Sequence, residues 1–201
     1  MRPLVYIHEG NQPYLKTAIS CARNWNNDVV LIGDKSNKAY CDKWVDVDSL
    51  DMSEYVQFSQ LYKHMSKNPY WFELVCFKRY FALYEYAKNS KLDEFILCDS
   101  DLLVYGDLSK FNYGKYEAAF SYCEDQSNYR WSASPHCSFW KLESLRKFID
   151  YVIFTYRDNL ATLQQKWEYH VQNNAGGGDM RHDVAIPLER EYRYPDYEYS
   201  N

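Results

Sequence analysis

The chain has 201 residues, 46% apolar and 25% charged, enough to bury the core of one ordinary domain. Its 23 basic and 28 acidic side chains leave a net charge of −5, and no basic run is present to track a phosphate backbone, which argues against nucleic acid as a partner. The longest apolar stretches fall far short of the roughly 20 residues that cross a bilayer, so no transmembrane segment is expected. The start, Met1-Arg2-Pro3-Leu4-Val5, lacks a secretory apolar core, and no N-x-S/T sequon occurs. Cys21, Cys41, Cys76, Cys98, Cys123 and Cys137 form no C-x-x-C pair. These features predict a cytoplasmic location and cysteines used as small buried hydrophobes, with neither a disulfide framework nor a zinc site. Aromatic residues reach 18%, including 21 Tyr and 6 Trp. Much of that content is expected at surfaces or in a cleft, where an apolar body and a polar tip are both useful.

In chain order, Leu4-Val5-Tyr6-Ile7 reads as a short buried strand. The polar break His8-Glu9-Gly10-Asn11-Gln12 follows, with Pro13 at a helix's first position. From Tyr14 to Trp25, Leu15, Ala18, Ile19 and Ala22 recur at helical spacing, and Asn26-Asn27 precedes a second strand, Val29-Val30-Leu31-Ile32, closed by Gly33-Asp34. Strand, helix, strand, with strands apolar throughout, predicts a parallel sheet covered on both faces. Trp44-Val45-Asp46-Val47 is a candidate third strand, and Ser53 to Tyr70 is polar-aromatic without a clear period. Trp71 to Lys88 places Phe72, Val75, Cys76, Tyr80, Leu83, Tyr84 and Ala87 at helical offsets. Phe95-Ile96-Leu97-Cys98 is a buried strand, Ala118 to Tyr122 and Cys137 to Trp140 are further strands, and Leu142 to Tyr156 is a helix.

Phe95–Cys98 runs straight into Asp99-Ser100-Asp101. If the extended conformation persists, the two carboxylates project to one side. At the carboxyl edge of a parallel sheet, such a pair offers hard oxygen ligands for Mg²⁺ or Mn²⁺ holding a diphosphate; the competing reading is a solvated turn.

The stretch Cys76-Phe77-Lys78-Arg79-Tyr80-Phe81-Ala82-Leu83-Tyr84-Glu85-Tyr86, then Leu92 through Val104 and Gly106-Asp107-Leu108, resembles the central signature of GT-A-fold, nucleotide-sugar-dependent glycosyltransferases. In those proteins an Arg-bearing helix precedes a hydrophobic strand ending in D-x-D. The likeness is specific over residues 76–108 and looser over the flanking units. It implies an α/β fold in a single Rossmann-like domain over residues 1–188, with a mostly parallel central sheet flanked by helices. Residues 189–201 are then a strap, or a linker cut from a longer multidomain chain. The resemblance further implies that Asp101 ligates the cation, that Asp99 contacts the metal and the ribose with Ser100 between them, and that Arg79 approaches the donor sugar or its phosphates. Lys78 is a weaker candidate, for which a solvated position is favoured. His8, Asn11 and Asp34 match the polar groups around the nucleotide base and ribose, though each could equally be a loop residue or a cap.

Several relatives take a third metal ligand from a C-terminal His in a motif not intact here; His182 is the nearest candidate, with His170 behind it, and a hydrogen-bonded surface role competes. The triplet Gly176-Gly177-Gly178 suits either a mobile loop or a close backbone approach to a ligand. Asp179 after it resembles the acidic residue that binds acceptor hydroxyls or acts as base, with a helix N-cap as the alternative. Trp131, His136, Ser138 and Trp140 would line the acceptor side, although core packing is favoured for Trp140. The expected chemistry is metal-dependent transfer of a sugar from a nucleoside diphosphate, UDP as carrier, to a carbohydrate or glycan acceptor. Two alternatives remain. A sugar-1-phosphate nucleotidyltransferase should carry a glycine- and arginine-rich loop after the first strand, whereas His8–Gln12 has one Gly and no Arg. A non-catalytic carbohydrate-binding module fits the aromatic content but not D-x-D on a buried strand.

Overall fold

The computed structural model describes residues 2–66, 68–121, 134–161 and 164. Its elements run β1 (Leu4–His8), α1 (Pro13–Arg23), β2 (Val29–Gly33), β3 (Trp44–Asp46), α2 (Ser53–Leu61), α3 (Tyr70–Asn89), β4 (Glu94–Cys98), β5 (Ala118–Ser121), β6 (Ser134–Lys141) and α4 (Leu142–Asp158), with short 3₁₀ turns between some of them. Six strands form one sheet in the order β3-β2-β1-β4-β6-β5. β1 pairs in parallel with β2 and β4, and β2 with β3. β6 runs antiparallel to both β4 and β5. This is the mostly parallel α/β sheet that the strand–helix alternation predicts.

Alternation along the strands explains the layering. Leu4, Tyr6, Val29, Leu31, Ile96 and Cys98 share a core with Leu15, Ala18, Ile19 and Ala22 of α1. Val5, Val30, Ile32, Phe95 and Leu97 point the other way and join side chains of α2, α3 and α4. Because both faces are covered, β1, β2 and β4 read as continuous apolar runs instead of alternating ones.

Several sequence expectations need correction. The ambiguous stretch after Ser53 contains α2, whose Phe58 is fully buried and packs its ring on Phe77, Phe81 and Tyr156. Aromatic rings thus build the helical core, while Tyr14, Trp25, Trp71, Tyr105 and Phe111 are exposed, as expected for much of the aromatic content. Phe72 and Val75 are exposed, because Glu73, Phe77, Tyr80 and Phe81 set the buried stripe of α3 and the two residues fall off it. β6 is longer than Cys137–Trp140, and Tyr122, expected to end the Ala118 strand, lies outside the described residues. Trp140 is core, as favoured: it is buried and donates its indole N–H to Ser138 Oγ at 2.9 Å. Ser138 is itself buried, so it does not line an acceptor surface.

Gly106-Asp107-Leu108 is held by two side chains. Asp107 accepts from the Ser109 amide at 3.0 Å, and buried Asn26 brackets the turn, donating to the Gly106 carbonyl and accepting from the Leu108 amide, each at 3.0 Å. No described helix is long and apolar enough to cross a membrane.

Phe58→Ala removes the ring at the centre of the helical layer and should cost about 3–5 kcal/mol. Urea unfolding followed by tryptophan fluorescence would read this as a lowered midpoint with an unchanged slope.

Candidate active site

From β3 the chain crosses back through α2 and α3 to place β4 on the opposite side of β1 from β2. The carboxyl ends of β1 and β4 therefore flank the topological switch point, the crevice in which open α/β sheets bind ligands. Two polar loops meet there, His8–Gln12 after β1 and Asp99–Asp101 after β4.

The first loop is pinned from both sides. Asn37, fully buried, donates to the carbonyls of His8 at 2.7 Å and Gly10 at 2.9 Å, and its Oδ1 accepts the Trp44 indole N–H at 3.1 Å. A Cβ on Gly33 would collide with the Asn37 amide, so glycine at the end of β2 is what admits it. Gly10 has φ +107°, a conformation that favours glycine. Its amide donates to Asp34 Oδ2 at 2.6 Å, while Asp34 Oδ1 accepts from the Ser36 amide at 2.8 Å and from the Ser36 hydroxyl. The Ser36 hydroxyl above all, then the Ser36 and Gly10 amides, hold the Asp34 carboxyl below its ordinary range. Asp34, expected beside the nucleotide, is thus engaged within the loop. From the opposite side Lys78 donates to Glu9 Oε1 at 2.6 Å; the favoured solvated position for Lys78 gives way to a bridge between α3 and the β1 loop.

His8 spans the crevice. Its Nε2 faces Gln12 Oε1, and its Nδ1 lies 2.8 Å from the Ser100 hydroxyl oxygen. Asn11 is exposed, its carbonyl accepting from Tyr40 Oη at 3.3 Å.

The D-x-D segment departs from the extended form expected of it. β4 ends at Cys98 and a turn follows, with the Leu102 amide donating to the Asp99 carbonyl at 3.2 Å. The two carboxylates consequently have different surroundings. Asp99 Oδ1 is ion-paired with Arg79, and Oδ2 accepts from His136 Nδ1 at 2.7 Å. Arg79 and Asp99 are only 15% and 18% exposed, which removes the reading of Arg79 as a surface residue on an amphipathic helix. Burial works against the Arg79 charge, but Tyr80 and Asp99 outweigh it and hold the guanidinium protonated more firmly than usual. Asp101 is exposed, and its carboxylate makes no hydrogen bond or ion pair among the described residues.

Two carboxylates on one turn are donors that suit Mg²⁺ or Mn²⁺. Asp101 is unengaged among the described residues, whereas both Asp99 carboxylate oxygens are taken by Arg79 and His136. No three His, Cys, Asp or Glu side chains gather into a metal-binding group among the described residues. The structure thus brings Arg79, Asp99, Ser100, Asp101, His8 and Lys78 together around the switch point. Trp131, His170, Gly176–Gly178, Asp179, His182 and the 189–201 segment lie outside the described residues. Sequence reasoning missed Asn37, which sits in the unremarkable polar run Lys35-Ser36-Asn37-Lys38, and the contact of His136 with Asp99, which no local pattern announces.

The fold has solved counterparts. Mouse xyloside xylosyltransferase 1, in its apo form, superposes with a TM-score of 0.60 at 12% identity, over 94% of this chain and 82% of that one. The chain shares the fold of a glycosyltransferase. The glycosyltransferase GlyE of Streptococcus pneumoniae also aligns, at a TM-score of 0.48 and 13% identity over 94% of this chain, which spans 43% of that longer protein. No protein-family model matches the sequence, and no curated protein matches it.

Asn37→Ala leaves two carbonyls and an indole N–H unpaired, and should lower stability by about 2–3 kcal/mol in chemical denaturation. The Asp34 anchor has a definite pH sign. Its folded carboxyl titrates below the unfolded value of about 3.9, so its contribution is complete above that value and is lost as pH falls through the folded one. The Gly10 amide proton shift should report this as a titration below the ordinary aspartate range, absent in Asp34→Asn.

Proposed function

We propose that this chain is a glycosyltransferase that moves a sugar from a nucleoside diphosphate donor, UDP being the expected carrier, to a carbohydrate or glycan acceptor. The observation carrying the reading is the convergence of Arg79, Asp99 and Asp101 at the switch point of a sheet shared with a xylosyltransferase. Asp99 and Asp101 would hold Mn²⁺ or Mg²⁺, with His182 the third ligand that the sequence resemblance suggests. When bound, such a cation offsets the charge developing on the departing diphosphate.

The chain's own groups do the rest. Arg79 is a cation already desolvated and held by Tyr80 and Asp99, and it would turn to phosphate or sugar oxygens as Asp99 exchanges it for the metal. Loop His8–Gln12, fixed through Asn37, Asp34 and Lys78, presents His8 and Asn11 to the base and ribose in a preset shape. His136, with its Nδ1 proton directed at Asp99, faces the acceptor side in place of buried Ser138. Asp179 would position the acceptor hydroxyl or take its proton.

Incubation with a panel of sugar nucleotides that includes UDP-xylose tests the reading through its products. Free nucleoside diphosphate with a glycosylated acceptor supports it; pyrophosphate would signal nucleotidyl transfer, and no turnover with any donor would point to a binding module. In calorimetry UDP should bind at least about tenfold more tightly with Mn²⁺ than with EDTA, and Asp101→Ala should erase the difference. Equal affinities in the wild type would refute the metal assignment. Arg79→Lys keeps the charge but loses the planar fork, and should slow transfer by about tenfold or more with the fold intact. Asp179→Asn should depress transfer while metal-dependent UDP binding persists; a wild-type rate would remove Asp179 from the site.

A further inference from the structure

Cys98 of β4 and Cys137 of β6 stand directly opposite each other. On the adjacent rung the Asp99 amide donates to the His136 carbonyl at 2.7 Å. Antiparallel ladders alternate bonded and non-bonded rungs, so the cysteines occupy a non-hydrogen-bonded rung, where Cα atoms approach to about 4.5 Å and side chains lie closest. A disulfide needs a Cα separation of roughly 4.4–6.8 Å, which this rung meets. The two sulfurs are 3.3 Å apart, with Cys98 donating its S–H to Cys137. Both thiols are free, Cys98 1% exposed and Cys137 partly open. Cys21 and Cys41 instead donate to the carbonyls of Val104 and Val29, each at 3.3 Å.

We propose that Cys98 and Cys137 form an oxidation site, which a hydroperoxide converts reversibly into a cross-strand disulfide one residue behind the Asp99–His136 contact. The more accessible Cys137 reacts first. Its thiolate attacks one peroxide oxygen, the O–O bond breaks, Cys137 becomes a sulfenic acid, and the departing hydroxide takes up the proton the thiol gave up, leaving as water. Cys98 sulfur then attacks Cys137 sulfur, the S–O bond breaks, and the hydroxyl leaves with the Cys98 proton as a second water. Two thiols lose two electrons in total and the peroxide gains them. The difference in exposure makes Cys137 the attacking thiol and leaves buried Cys98, 3.3 Å away, to resolve it.

The new bond would tie β4 to β6 beside the rung that seats Asp99 and His136, and close residues 98–137 into a covalent loop. Its readouts are chemical and thermal, so it stands or falls separately from glycosyl transfer. The 201-residue chain is treated with a few equivalents of hydrogen peroxide, alkylated under denaturing conditions, digested and mapped by mass spectrometry. The expected result is a Cys98–Cys137 linked peptide, reversed by dithiothreitol, with a melting temperature raised by about 5 °C or more. In Cys98→Ser, Cys137 should instead accumulate as a sulfenic acid that dimedone captures. If both thiols remain alkylatable in the treated wild type, or Cys137 advances to the sulfinic acid while Cys98 stays a thiol, the proposal is overturned.

Discussion

Arg79 and Asp99 have each surrendered most of their hydration, and neither charge is tolerable at that depth without the other. A pair of this kind adds little net stability, because desolvation offsets most of its attraction. Its position is better understood through what holds it. Tyr80, next in sequence to Arg79, is buried with its ring against Trp140 and Phe148, and its hydroxyl accepts from the guanidinium at 3.4 Å. The helical core thus fixes the cation, the cation fixes Asp99, and Asp99 fixes the His136 ring. Removing Arg79 would leave a carboxylate stranded at the strand end, so the site's electrostatics and its geometry depend on the same contact.

A second constraint is the order already built into the loop after β1. Backbone ordering costs about 1–2 kcal/mol per residue, and here it is met during folding through Asn37, Asp34, Lys78 and the His8–Ser100 bond. A ligand entering the crevice would find the β1 and β4 loops already tied together, and need supply little of that entropy itself.

The parts of this arrangement legible in the sequence are those with a period. Leu15, Ala18, Ile19 and Ala22 mark α1, the apolar runs mark β1, β2 and β4, and Asp99-Ser100-Asp101 stands out because it sets two carboxylates at the end of a buried strand, at the edge where open α/β sheets bind ligands. Strand order and the reversal of β6 were not legible, since they arise from pairings between distant residues. The turn at D-x-D and the partners of Asp99 are hidden for a related reason: nothing in the tripeptide announces that Arg79, twenty positions earlier, and His136, far downstream, engage the Asp99 carboxylate. Asn37 is the clearest gap. Its role depends on a glycine at the end of one strand and a tryptophan at the start of another, and neither neighbour is suggested by the polar run in which it sits.

The antiparallel course of β6 has a consequence that a wholly parallel sheet could not deliver. In β1, β2 and β4 only the residues at the carboxyl end reach the edge where ligands bind, so one strand offers one loop. β6 runs the other way, and it is the beginning of that strand that lies beside the end of β4. Residues that start a strand and residues that end its neighbour are thereby placed on one rung, His136 against Asp99 and Cys137 against Cys98. β5, antiparallel to β6 in turn, ends at the same edge, where the Ser121 hydroxyl donates to the Cys137 carbonyl at 2.9 Å. β4 and β6 therefore meet at the Asp99 carboxylate, and β5 braces β6 from its other side. A single reversal in an otherwise parallel sheet lets side chains from two distant parts of the chain meet across one backbone ladder, where the hydrogen-bond register fixes their spacing more tightly than loop contacts would.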